Sequence, residues 1–226
     1  MPVFQLTCAV RFPPPQYAEP DGLLAVGGDL SPERLLLAYR MGIFPWYGKG
    51  LPILWWSPDP RLVLFPDELR ISRSLRRVVA KGTFRVTVDR SFARVIAACA
   101  RAPRRHDGGT WIVPEMEAAY GRLHDLGYAH SVETWLEDEL VGGLYGVALG
   151  GVFFGESMFA LRADASKVAL VHLVERLRRQ NFELIDCQVT TRHLRSLGAR
   201  EIRRELFLEK LAEALETPFT PGSWAA

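Results

Sequence analysis

Apolar positions recur along the chain in two rhythms. "DLSPERLLLAYRMG" repeats them at helical spacing, with Ser31 placed as N-cap, Pro32 in the first turn and Gly42 as the stop. "FRVTVD" alternates with period two and predicts a strand, and "SFARVIAACA" turns Phe92, Val95, Ile96 and Cys99 to one helical face. "PEMEAAYGRLHDLG" predicts a helix opened by Pro114 and closed by Gly127. "HSVETWLEDELVGGLYGVALGGVFFGESMF" reads as an antiparallel meander, with turns near Glu137–Glu139 and at Leu149–Gly151. A helix, "ASKVALVHLVERLRRQN", follows it. The strand "NFELIDCQV" and the helices "RHLRSLG" and "RELFLEKLAEALE" complete the pattern.

The first sixty or so residues are otherwise turn-dense and aromatic, as in "IFPWYGKGLPILWWSPDPR". The expected organisation is a small amino-terminal domain over 1–62 and a main domain over 63–226. Strands and helices in this order predict an α+β architecture, a mixed sheet covered by helices. The order resembles the core of the N-acetyltransferase (GNAT-type) fold. Members that use coenzyme A hold its pyrophosphate on a glycine-rich loop that opens the central helix. Here that position reads "LRADASKVAL", without a glycine, so the fold is expected and the coenzyme A site is not.

Composition narrows the class. The chain has 226 residues, 48% of them hydrophobic and 24% charged, as in ordinary folded proteins. No apolar run reaches the ~18 residues of a membrane span, and the start lacks the pattern of a secretory signal. Three widely spaced cysteines (Cys8, Cys99, Cys187) form no CxxC pair, which argues against a disulfide framework or zinc site and suits a reducing cytoplasm. The five histidines have no metal-ligand spacing, so no metal is expected.

Net charge is only +2, yet basic residues cluster. "RISRSLRRVVAKG" read as a helix puts Arg73, Arg77 and Lys81 on one face, with Arg76 beside them, and Leu75, Val78 and Val79 on the other side. "CARAPRRHDGG" adds Arg101, Arg104, Arg105 and His106. Such a pattern fits either a solvated face and loop or a phosphate-binding surface for nucleic acid.

Polar residues inside apolar strands mark the candidate chemistry. In "LIDCQ", strand alternation places Asp186 and Gln188 on one face with Phe182 and Leu184. Cys187 falls on the other face with Ile185 and Val189, where a thiol packs as a small apolar group. A carboxylate beside an amide can steer a proton and a nucleophile, or the two can simply anchor the following turn. Glu156 interrupts "GGVFFGESMF" on the face expected to carry Phe154 and Met158, so it needs a cation or an opening to substrate.

The segments "GLLAVGGDLSPERLLLAYRMGIFPWY", "PILWWSPDPR", "GTWI", "GGLYGVALGGVFFGESMF" and "LIDCQ" together resemble the bacterial leucyl/phenylalanyl-tRNA–protein transferases. The resemblance runs from about Gly22 to Leu215. It implies an aminoacyltransferase that moves leucine or phenylalanine from tRNA to the α-amine of proteins beginning with Arg or Lys, marking them for degradation. It also implies a small amino-terminal domain on an N-acetyltransferase-like one, with no metal or organic cofactor. Carried over by motif, Asp186 and Gln188 become the catalytic pair and Glu156 faces the cationic acceptor. Trp46 and Trp111 hold the terminal adenosine, Leu144, Phe153 and Met158 line the side-chain pocket, and Arg73, Arg76, Arg77 and Lys81 meet acceptor-stem phosphates. Methionine joins leucine and phenylalanine as a possible donor residue. A coenzyme A-dependent N-acetyltransferase, a non-catalytic tRNA-binding protein and a transferase acting on cell-wall peptides are the competing readings.

The chemistry asked of such a site is modest. The donor ester is already activated, and an α-amine with an ordinary pKa of about 7.7–8.0 is partly neutral near pH 7. An amide is a weak base, so Gln188 is expected to orient the attacking amine while Asp186 supplies negative charge, as a base or by polarising Gln188.

Overall fold

The computed structural model describes residues 3–102 and 112–224. Its first sheet is built from the Pro- and Trp-rich start of the chain. There β1 (Phe4–Leu6), β2 (Leu23–Gly27), β3 (Phe44–Pro45) and β4 (Leu54–Trp56) take the order β1-β2-β4-β3, and α1 (Pro32–Arg40) joins β2 to β3. Ser31 caps α1 by accepting from the Arg34 N–H, as its sequence predicts. Gly42 then turns at φ 70°, where a Cβ would lie 2.7 Å from Leu208.

The chain next lays down β5 (Arg61–Leu64), α2 (Arg73–Ala80), β6 (Arg85–Val88), α3 (Phe92–Arg101) and α4 (Pro114–Asp125). The meander follows as β7 (Ala129–Leu136), β8 (Glu139–Leu149) and β9 (Val152–Ala160). Then come α5 (Ala165–Arg179), β10 (Leu184–Gln188), α6 (Arg192–Ser196), β11 (Arg200–Ile202) and α7 (Arg204–Leu215). The second sheet has the order β11-β5-β10-β9-β8-β7-β6; β9 and β10 run parallel and its other pairs antiparallel. The architecture is α+β with mixed sheets.

Each face of the large sheet buries its own apolar cluster. One packs Tyr145, Val147 and Phe154 beneath α1, α3, α4 and α7, and it continues without a break into Leu24 and Trp55 of the small sheet. The other packs Leu144, Phe153 and Ile185 beneath α2 and α5. The predicted meander, its two turns and the inward residues of α3 all appear. The small sheet, β5 and β11 are additions to the sequence reading. Most of these strands have only two to four residues, too few for alternation to register.

Candidate active site

Two irregularities in neighbouring strands shape the site. In β9, Tyr145 pairs with Ser157 but Gly146 pairs with Gly155, so Glu156 is an extra, bulged residue. Its effect on facing is direct: Phe153 and Phe154 lie in opposite clusters, but Met158 packs on the Phe153 side. The expected sharing of one face by Phe154, Glu156 and Met158 therefore fails. In β10, Asp186 pairs with Val63 and Gln188 with Leu62, which makes Cys187 the inserted residue. Gln188 adopts φ 61° to complete that bulge. Bulges re-aim side chains in this way, and they recur next to active sites.

The bulge also corrects the predicted division of "LIDCQ". Asp186 stays on one side of the sheet, and Gln188 is carried to the other, with Ile185 and Cys187. Pairing of β9 with β10 ends at Phe154 and Asp186, although β9 continues to Ala160. The strands part beyond that point, and a cleft of about 480 Å³ opens along them. Leu144, Phe153, Met158, Leu170 and Leu173 are among its apolar lining, Glu156 and Gln188 among its polar lining, and Trp46 also lines it. Asp186 does not line it.

Asp186 is fully buried and bound to Arg61. The guanidinium donates through Nε at 2.8 Å to Oδ1 and through a terminal nitrogen at 2.6 Å to Oδ2. Rings of Phe44 and Phe207 flank the guanidinium carbon at 4.8 and 4.5 Å. Asp186 Oδ1 also accepts the Gln188 backbone N–H at 2.9 Å. The carboxylate thus holds the bulge that aims Gln188.

Glu156 has different surroundings. Tyr39 from α1 donates to Oε1 at 2.7 Å, Tyr120 from α4 reaches Oε2 at 2.9 Å, and the two hydroxyls lie 2.5 Å apart. Gln188 Nε2 donates to Oε1 at 2.9 Å. Burial pushes the Glu156 carboxyl up to about 7, Asp186's charge adds to that, and the hydroxyl and amide donors hold it down. Both phenols donate to the carboxyl, Tyr39 to Oε1 and Tyr120 to Oε2, and the carboxyl gains or loses its proton near neutral pH. Burial, and then Glu156's charge, push both phenols well above their ordinary range, so they remain protonated. Because Gln188 gives its N–H to Glu156, its carbonyl oxygen is left for the cleft.

Cys187 does line the cleft, beside Ile185. Burial, with Asp186's charge second, pushes its thiol far above the usual range, so it stays a protonated, apolar part of the wall.

These observations meet the comparisons with known proteins. Residues 63–212 match the family described as leucyl/phenylalanyl-tRNA protein transferase, and residues 28–59 match that family's N-terminal domain. A relative named leucyl/phenylalanyl-tRNA–protein transferase from Syntrophobacter fumaroxidans (strain DSM 10017 / MPOB) is 68% identical over 99% of this chain and 96% of its own. The chain belongs to the leucyl/phenylalanyl-tRNA–protein transferase family. A second relative of that name, from Anaeromyxobacter sp. (strain Fw109-5), is 61% identical over 99% of this chain and 95% of its own. Among solved structures, a GCN5-related N-acetyltransferase from Kribbella flavida aligns with a TM-score of 0.40 at 13% identity, over 75% of this chain and 60% of that one. L-PGS from Bacillus licheniformis aligns with a TM-score of 0.44 at 10% identity, over 87% and 72%. At those scores the structural likeness carries no argument about function.

As a leucyl/phenylalanyl-tRNA–protein transferase the chain is an acyltransferase that takes its acyl group from aminoacyl-tRNA. Of the residues its sequence singled out, the structure gathers Trp46, Leu144, Phe153, Glu156, Met158 and Gln188 around one cleft. Trp46 is exposed and meets Trp56 edge to face, the Trp56 indole donating to its carbonyl at 2.6 Å. Arg73, Arg76, Arg77 and Lys81 are exposed along α2, away from the cleft. Trp111 and the basic stretch Arg104 to His106 lie outside the described residues. Tyr39, Tyr120 and Arg61 are what the sequence reading missed. Each tyrosine lies on the apolar face of a helix, and a buried hydroxyl needs a partner, which was the available signal. Among the described residues no group of three or more His, Cys, Asp or Glu could hold a metal, and no helix is long and apolar enough to cross a membrane.

Proposed function

We propose that this transferase moves leucine, phenylalanine or methionine from tRNA to the α-amine of cytoplasmic proteins that begin with Arg or Lys, marking them for degradation. The amino-terminal domain is 1–62 and the catalytic domain 63–226. The observation that carries the reading is the cleft's lining: a largely apolar wall of Leu144, Phe153 and Met158 together with a hydrogen-bonded amide and carboxyl group, Gln188 and Glu156.

In this reading the aminoacyl side chain lies among Leu144, Phe153 and Met158. The terminal adenosine sits at the edge, on Trp46 and Trp111; aromatic faces stack any base, worth ~1–3 kcal/mol each. The neutral acceptor amine attacks the ester carbonyl, and the ribose oxygen leaves as the new amide bond forms. Gln188 offers its carbonyl to the attacking N–H, and one amine proton passes to the departing ribose oxygen. Glu156 faces the acceptor's cationic side chain; a cation there favours its ionised form. Asp186, neutralised by Arg61, acts as a positioning residue behind Gln188. The basic face of α2 meets acceptor-stem phosphates.

The coenzyme A alternative finds little support at the opening of α5. Asp164 occupies that N-terminus and binds Lys167 at 2.8 Å, so an acidic side chain stands where an anion would need bare N–H groups. The deciding experiment offers labelled leucyl-tRNA with peptides beginning with Arg, Lys or Ala. Label entering only the Arg and Lys peptides is expected; label in none, or equally in all three, contradicts the proposal.

A further inference from the structure

Helix α6 has two faces of opposite character. Its N-cap Thr191, with His193 and Leu194, lines the cleft, and the His193 ring nitrogen Nε2 is buried without a hydrogen-bond partner. Arg192 and Arg195 are three apart, so they share the opposite face, and both are exposed. Neither side chain has an ion pair or hydrogen bond among the described residues. Arginines close by are neutralised: Arg178 pairs with Asp67 at 3.1 Å and Arg200 with Glu68 at 2.9 Å. The neighbouring carboxylate of Glu201 accepts from Thr190 instead.

The far end of α6 is fastened to the approach of α2. The Arg70 N–H donates to the Leu197 carbonyl at 2.9 Å. Gly198, at φ 106°, passes so close to the Glu68 carbonyl that a Cβ would lie 2.3 Å from it, so only glycine allows this docking. Helix α6 therefore bridges the cleft and the segment from which the exposed Arg73, Arg76 and Arg77 begin.

We infer that Arg192 and Arg195 bind backbone phosphates of the single-stranded 3′ end of the donor tRNA, between the cleft and the basic face of α2. A terminal nucleoside seated in the cleft must carry its 5′ phosphate out past the edge. Two unpaired guanidinium groups on the outer face of a wall helix are chemically matched to it. The inference rests on the proposed reading of the cleft as the seat of the aminoacyl ester.

The test compares two donors, leucyl-tRNA and leucyl-adenosine, which ends in the same ester but has no phosphate. In the double variant Arg192→Gln/Arg195→Gln, the ratio of kcat/KM for leucyl-tRNA to that for leucyl-adenosine falls about tenfold. The salt dependence of log(kcat/KM) for leucyl-tRNA flattens by about 1.5, the slope expected for two lost phosphate contacts. Arg192→Lys/Arg195→Lys recovers most of both effects, which a merely structural role would not predict. An unchanged ratio, or an unchanged salt slope, overturns the inference. A wild-type enzyme that cannot use leucyl-adenosine overturns the reading of the cleft beneath it, and is distinguished by needing no variant.

Discussion

Two carboxyl groups from adjoining strands, Asp186 and Glu156, occupy opposite environments. Asp186 is dry, gripped by a guanidinium that is itself stacked between two rings, and it holds a backbone N–H. Among the described residues Glu156 has no cationic partner; two phenols and an amide surround it in the cleft, and its acid is pushed up to about 7. Both contact Gln188, Asp186 through the backbone and Glu156 through the side chain. The difference separates a charge that builds the site from a proton that the site can lose near neutral pH.

Breaking the Asp186 side should have the largest effect on the fold. Arg61→Met leaves a buried carboxylate uncompensated and should lower stability by ~3–5 kcal/mol, measured by denaturant unfolding. Adding Asp186→Asn removes the stranded charge and should restore much of that loss, because the Asn oxygen can still accept the Gln188 N–H. Gln188→Ala should leave most of the stability in place and lower single-turnover transfer by ~10²–10³-fold, the scale seen when a positioned polar group is removed from a reacting centre.

The Glu156 side should appear as a pH effect. The folded state holds the proton up to about pH 7, while the unfolded chain releases it near the ordinary 4.5. The resulting stabilisation is complete below that lower value and is lost as pH rises to about 7. Glu156→Gln should remove this component, so the difference between wild-type and variant unfolding curves should change across that window and flatten above it. A constant difference at every pH would mean that the carboxyl titrates alike in the folded and unfolded chain, and would contradict its raised value. The smallest effect belongs to Cys187→Ala: transfer within about threefold of wild type, reflecting a small change in wall volume. A trapped aminoacyl thioester in the wild type would contradict that.

How much of this was legible in the sequence depends on regularity. The strands β7 to β9 are long and punctuated by Glu137 and Gly150 at positive φ, so alternation found them and their turns. Helix α2 was legible from Ser72, Gly82 and its opposed basic and apolar faces. The same alternation rule misplaced Asp186 against Gln188 and Glu156 against Met158, because it presumes an unbroken strand and each of these spans a bulge. A non-glycine residue at φ 61°, as Gln188 is, gives no compositional warning. Arg61 was hidden for a related reason: a charged residue beside "LVLF" looks like a strand flank until its partner is known to come from a strand more than a hundred residues later.

The most direct test of the division between the two carboxyls is the single-turnover transfer rate of Arg61→Met/Asp186→Asn, with leucyl-tRNA prebound and an Arg-initiated peptide as acceptor. If Asp186 positions Gln188, the double variant should transfer within about tenfold of wild type, because the Gln188 N–H keeps its acceptor. A loss of ~10²–10⁴-fold in a folded variant, the scale expected for a missing general base, would contradict the account.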